Sequence, residues 1–465
     1  LNNTKELGTE SIGKLLFKFS IPAVIGMLVN AFYSVADRIF VGRGVGSLAL
    51  SGVAITFPIT NIIMAVGMLV GTGAAAMVSI KLGQKKMKEA EEIVGNAFIL
   101  SVALSLLVSI TGLLFLDHLL VFFGATAETM PYAKQFAGIL LAGAALQNIG
   151  FGLNPIIRSE GDPKTAMITM IIGAVLNCII NPVLIFGLNF GVMGSAAATL
   201  ISQAVCSIWI FVYFIKGKSL LKLKKENMKL KRNAITDILS IGVSPFAMQV
   251  AASFVTIFMN VSLLKYGGDL AIGAYSLINC IAILLLMPAF GVNQGAQPII
   301  GYNYGAGNFE RVKKTLRYAM IVNACITTFG FMLIQLFPVQ IISMFNRTDP
   351  QLIAIGSQGI AIYLLMIAFV GPQSSAVNYF QSIGKAKISM GMSLMRQVIL
   401  LIPLAYILPH FFMLKGVWMA GAASDFLSSV VCFILIAREI RALNEKENLN
   451  IISDSYIRAA AVEIS

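Results

Sequence analysis

Asp37 sits late in an apolar run, with Ser34, Tyr33 and Asn30 three, four and seven residues before it. That spacing puts all four on one helix face. A carboxylate flanked by hydroxyl and amide groups can take up a proton or hold a small hard cation. Asn177 and Asn181, one turn apart, and Thr199 in the next run are oxygen donors of the same kind. Asp425 and Arg396 are further ionisable residues inside apolar runs. A charge at the centre of a membrane helix costs about 2.5–3.5 kcal/mol on insertion scales, so each calls for a reason. Plainer readings stand beside these. Asp37 could be an interface acid next to Arg38, the Asn and Thr groups could bond helix to helix, and Arg396-Gln397 could pair with Asp425 or with carbonyls. Asn154, Gln249 and Gln294 add weaker polar candidates.

These residues sit in a chain of 465 residues that is 57% hydrophobic and only 12% charged. Soluble domains average roughly 45–50% and about 25%. With a mean hydropathy of +0.84, the chain reads as an integral membrane protein. Twelve apolar runs are long enough to cross a bilayer, which takes about 20 residues. They cover roughly 15–37, 50–80, 93–116, 132–156, 165–187, 192–215, 236–264, 271–300, 315–340, 353–380, 388–409 and 415–437. Runs of this length in lipid must be helical, because each backbone group needs an internal partner. The first run lacks a small-residue cleavage site and reads as a retained helix. The expected fold is therefore an all-α integral membrane protein of twelve transmembrane helices.

Basic residues orient it. Of 34 Lys and Arg, six lie on one side (Arg38, Arg43, Lys134, Lys265, Arg347, Lys415) and two (Lys18, Arg396) within spans, which leaves 26 on the other. By the positive-inside rule that richer side is cytoplasmic, with both termini on it, as in a multi-pass protein of the cytoplasmic (inner) membrane. The net charge of +13 is then topology and calls for no nucleic-acid partner. The 216–234 stretch carries eight of the basic residues and reads as a solvated linker near anionic headgroups.

The chain repeats itself about this linker. A shift of 222 places Gly73 on Gly295 and Gly83 on Gly305; a shift of 223 places Pro22 on Pro245; a shift of 226 places Thr199 on Asp425. The expected units are a lobe at 1–215, the linker at 216–234, a second lobe at 235–440 and a polar, mobile tail at 441–465. Six spans per half give both halves one orientation. Such parallel repeats mark transporters that hold substrate between the halves. Pro22 and Pro245 interrupt matched helices and are candidate hinges.

Enzyme chemistry is unsupported. Two histidines at span edges and five cysteines inside apolar runs form no metal-ligand or disulfide pattern. There is no HExxH, GxSxG or Walker A motif. No cofactor is implied beyond a coupling ion, and without an ATP site any transport draws on an ion gradient or on the substrate's own gradient.

Several runs resemble the MATE (multidrug and toxic compound extrusion) family over roughly residues 10–440. They are Ile21-Pro22, Ala36-Asp37-Arg38-Ile39-Phe40-Val41-Gly42, Arg158-Ser159-Glu160-Gly161-Asp162-Pro163 and Gly301-Tyr302-Asn303-Tyr304-Gly305-Ala306. Ser393-Leu394-Met395-Arg396-Gln397 resembles its bacterial MepA-like branch. The resemblance implies two pseudo-symmetric six-helix lobes in a V. It implies an antiporter exporting bulky cationic or amphipathic organic compounds, driven by H⁺ or Na⁺. It maps a cation-coupling set onto Asp37, Tyr33, Asn177, Asn181 and Thr199, and a bending proline onto Pro22. Asn181 departs from the family, where Asp is common, and a seventh-span Glu is absent, with Gln249 in that region. One carboxylate in place of two favours H⁺ over Na⁺. The expected partners are small organic cations and the lipid bilayer, with the protein a monomer. The alternative is a lipid-linked precursor flippase of the same superfold, which would need several intramembrane basic residues where only Arg396 lies well inside.

Overall fold

The computed structural model describes residues 2–217, 219–345 and 349–463, so Lys218 and Arg347 fall outside the described residues. The long apolar runs all form helices, and among the described residues there are no strands. Span one is Ile12–Gly44, 33 residues or roughly 50 Å, longer than the roughly 30 Å hydrocarbon core. Span two is Phe57–Gly83 behind the short helix Ser47–Ile55; spans three and six are Met87–Leu114 and Gly191–Ile215. Span five, Pro163–Pro182, runs on into a π turn at Val183–Gly187. Its start is fixed by Asp162, whose carboxylate accepts the Thr165 N–H, followed by Pro163 in the first turn. Span nine is Phe309–Leu336.

Spans four and ten, each a single apolar run in the sequence, are bent pairs. Met130–Ala142 meets Ala144–Ser159 at 56°, and Pro350–Tyr363 meets Ile367–Ser382 at 50°. Eight helices are long and apolar enough to cross a membrane, or ten when each bent pair is one span. Two of the eight are each too long for one crossing. Arg232–Gly305, 74 residues, breaks at Gly268 (φ 66°), and the helix through Leu401–Glu463 breaks at Met413 (φ 52°). Taking each side of these breaks as its own crossing reaches the expected twelve. After span twelve the backbone stays helical to Glu463, so the tail expected to be mobile is an extension of that span.

Four apolar cores show how the lobes meet. At one end each lobe has its own core: one around Ile63, Leu120, Leu141 and Ile185, the other around Leu263, Ile278, Trp418 and Val417. At the end carrying the basic loops, both cores cross between lobes. Leu15, Leu16 and Phe19 of span one pack with Val292, Ile299 and Leu316 of the second lobe. Ile238 of span seven packs with Val70, Ala74 and Ile156 of the first. The halves are thus joined at the basic end and separate at the other, a V with its apex at the basic loops.

The apex is a backbone-on-backbone seam. A Cβ on Gly73 would lie 2.1 Å from the Ile238 carbonyl oxygen, and one on Gly242 1.6 Å from that of Leu69. One on Gly83 would lie 2.0 Å from the Tyr302 carbonyl oxygen, and one on Gly305 2.1 Å from that of Ile80. Only a missing side chain permits such contact. Pro22 and Pro245 are buried in helices that continue through them in helical geometry, so neither helix is broken at its expected hinge.

The linker differs from expectation too. It is docked on the first lobe. Buried Asn96 accepts the Lys231 N–H at 2.8 Å and donates to the Lys229 carbonyl at 3.2 Å. Glu160, at the turn after span four, accepts from Ser219 Oγ at 2.8 Å and the Leu220 N–H at 2.9 Å. Burial pushes the Glu160 carboxyl up to about 7, against the lowering effect of these bonds. The docked state therefore binds a proton more tightly than a released one would. Its extra stability is present in acid and is lost as pH rises through about 7. Exchange of the Leu220 amide, and of the Leu221 amide that also donates to Glu160 at 3.3 Å, corrected for intrinsic rate, should be slower near pH 6 than near pH 8. Glu160→Gln should remove that difference, and a wild type with equal protection at both would refute it.

Candidate functional site

Span one brings Asp37 against spans five and six. Asp37 Oδ1 accepts from Asn181 Nδ2 at 2.5 Å and from Ser195 Oγ at 2.7 Å. Asn181 Nδ2 also reaches Asn177 Oδ1 at 3.4 Å, and Asn177 Nδ2 donates to Thr199 Oγ1 at 3.1 Å. The Tyr33 hydroxyl lies beside Thr199 and Asp37. The five residues mapped as a coupling set therefore form one cluster. Asn181 is fully buried, and its Oδ1 has no hydrogen-bond partner among the described residues. Such an orphan is costly unless something else engages it.

Ser195 is the member that sequence reasoning missed. It stands four residues before Thr199 on the same helix, so the one-turn rule that joined Asn177 to Asn181 could have found it. Asn30 is close in sequence, but among the described residues its side chain makes no hydrogen bond; its carbonyl accepts from Ser34 Oγ at 2.9 Å. Asn154 is elsewhere. It donates to the Ala166 carbonyl at 3.0 Å and accepts from Arg158 Nη1 at 3.1 Å, which leaves its amide engaged in packing spans four and five.

Gln249 and Gln294 lie between the lobes. Gln249 Nε2 reaches Asn61 Oδ1 at 3.4 Å, and Gln294 Nε2 faces Met27 Sδ at 3.4 Å, each across the seam. The first is long for an N–H···O bond and the second ends on a thioether, a weak acceptor, so both hold the halves weakly. In the second lobe Arg396 Nε donates to Asp425 Oδ1 at 2.7 Å, joining spans eleven and twelve. Among the described residues no group of three His, Cys, Asp or Glu side chains could hold a metal ion.

Two repeated helical lobes, joined at one end and each carrying buried polar groups at mid-span, define a membrane transporter. The chain belongs to the MATE family: the MatE family profile matches residues 22–183 and 245–407, one segment in each lobe. It is 26% identical to the multidrug export protein MepA of Staphylococcus haemolyticus over 94% of this chain and 96% of that protein. Among solved structures it resembles a ligand complex of the MATE multidrug transporter DinF-BH, at 38% identity and a TM-score of 0.87 over 93% of this chain and 96% of that one. It also resembles an outward-facing multidrug resistance MATE transporter, at 27% identity and a TM-score of 0.89 over 95% and 98%.

Proposed function

We propose that this protein is a cation-coupled antiporter that exports bulky cationic or amphipathic organic compounds by alternating access, with H⁺ favoured over Na⁺. With the basic loops and both termini in the cytoplasm of a cell whose inner membrane it spans, the closed apex faces inward and the cleft faces out. Asp37 then takes up a proton from outside. Its neutralisation releases a bound organic cation, and inward release of the proton resets the cycle. For coupling, proton and drug must favour different states. The names of its relatives support the substrate class.

The observation that carries the choice of ion is the single carboxylate of the cluster: Asp37 is held by the Asn181 amide and the Ser195 hydroxyl, and Asn177 and Thr199 complete the set with neutral groups. A Na⁺ site is weakened by the want of a second carboxylate. A proton needs only the Asp37 carboxylate, where it turns a charge inside the span into a neutral acid. The flippase reading is weaker, because an anionic pyrophosphate calls for several intramembrane basic residues and the sequence places only Arg396 well inside a span.

The test is export of a fluorescent organic cation from proteoliposomes, with ΔpH and ΔNa⁺ imposed separately. Export under ΔpH alone is the expected result. Export under ΔNa⁺ alone would overturn proton coupling and assign Asp37, Asn177, Asn181 and Thr199 to a metal site. Export under neither would return the flippase.

A further inference from the structure

The second lobe carries a charged pair where the first carries neutral polar groups. In the first lobe spans five and six are bridged by Asn177 and Thr199. In the second, the matching spans eleven and twelve are bridged by Arg396 and Asp425, the latter on the repeat position of Thr199. Both helices carry a π turn, at different places: at the end of span five, Val183–Gly187, and inside span eleven, at Met395–Leu400, which contains Arg396. Such turns recur at functional sites because they widen the helix and free a carbonyl. Here the Arg396 carbonyl is taken up by Ser424 Oγ at 2.5 Å. The backbone and Nε of Arg396 are thus both fixed by span twelve.

The rest of the guanidinium is not. Among the described residues no hydrogen bond engages either terminal nitrogen of Arg396, and a third of its side chain (33%) is open. Asp425 is nearly covered at 12%. An open guanidinium at mid-span turned toward lipid would cost about 2.5–3.5 kcal/mol, and Asp425 holds it back from reaching the membrane surface. Its open face therefore borders the wet cleft. Tyr363, half-buried, lies beside both charges and packs edge-on against Tyr275 and Trp418. The result is a pre-oriented fork of free N–H groups next to an aromatic surface. That combination recognises a carboxylate on an aromatic molecule, because the planar fork matches two carboxylate oxygens and low dielectric strengthens the contact.

We propose that Arg396, oriented by Asp425, is a specificity-determining residue that binds the anionic group of zwitterionic aromatic substrates. This rests on the export reading above and names the residue that would read a carboxylate on an exported compound. The experiment uses two probes that differ only at that group, a rhodamine with a free carboxylate and its ethyl ester. Binding to the purified full-length protein is read by fluorescence polarisation.

Removing Arg396 alone would strand a buried Asp425. The main variant is therefore the neutral pair Arg396→Gln with Asp425→Asn, and Arg396→Lys is the charge-retaining control. The pair should bind the carboxylate probe at least about tenfold more weakly, as expected for losing a charge-assisted bond, while the ester is little changed. Arg396→Lys should fall between. Parallel loss of both probes, no loss of either, or a wild type that does not bind the carboxylate probe would each overturn the proposal. Export of the ester under ΔpH, run in parallel, separates the two failures. Ester export with no effect of the pair on the carboxylate probe sinks only the role of Arg396. No export of the ester by wild type sinks the transport reading itself.

Discussion

Asp37→Asn protein in proteoliposomes is expected to export an organic cation at the rate of protein-free vesicles under an imposed ΔpH. The substitution is close to isosteric, so the cluster should survive it. Asn181 and Ser195 still face an oxygen at the same position, and the site loses a charge that is expensive to keep inside the span. What is lost is the ability to switch charge. Coupling between two ligands is a free energy of about 1–3 kcal/mol, a factor of roughly 5–150 in relative affinity, and it vanishes when one ligand can no longer bind. Binding of the probe in the absence of a gradient should persist, since most contact in a polyspecific cleft is apolar.

Ser195→Ala provides the graded comparison. It removes one of two donors to Asp37 Oδ1, a charge-assisted bond of about 1.5–3 kcal/mol, and leaves the carboxylate itself. Partial loss of ΔpH-driven export is expected there, against complete loss for Asp37→Asn. Full gradient-driven export by Asp37→Asn would show that the coupling proton binds somewhere else, and the cluster would then be interhelical glue.

Much of this was legible in the sequence for a simple reason. Lipid allows the backbone few solutions, so run length sets the helices, and a repeat with an even number of spans sets the orientation of the halves. The coupling set was legible through the resemblance to the MATE family, since one-turn spacing by itself joins only Tyr33 to Asp37 and Asn177 to Asn181. What was not legible depends on partners far away in the chain. Ser195 meets Asp37 across 158 positions; its place one turn before Thr199 puts it on that residue's face but does not say that Asp37 lies opposite. Asn154 read as a cleft residue because sequence carries no sign of which way a side chain turns, and Ala166 and Arg158 claim both of its ends. The linker read as solvated from its charge, whereas Asn96 and Glu160 capture its backbone and Ser219 with bonds that its own composition cannot announce. The repeat matched Gly73 to Gly295 and Gly83 to Gly305 without saying what those glycines touch.

What they touch leads to the second large effect. Gly242→Ala is expected to hold the basic end of the cleft open. The added methyl would sit 1.6 Å from the Leu69 carbonyl oxygen, which belongs to the backbone of span two and cannot turn aside as a side chain would. Spans two and seven must move apart, and they belong to different lobes. Each lobe keeps its own core at the other end, so the protein should fold. Overpacking costs about 1–3 kcal/mol, and here the cost falls on the closed-apex state alone. A penalty of that size on one of two states shifts their ratio by roughly 5–150-fold. Ser20 reports on the seam: it is buried, and its Cα lies 2.7 Å from where a Cβ on Gly295 would be. In a background without the native cysteines, Ser20→Cys should react with a water-soluble maleimide at least about tenfold faster when Gly242→Ala is added, and export should fall because the return to the closed apex is penalised. Gly391→Ala is the control, since nothing lies within 4 Å of its added methyl, and it should leave both readings unchanged. If Gly242→Ala labels as slowly as its parent, the seam gives way without opening, and the contact between Gly242 and Leu69 is packing with no part in the gate.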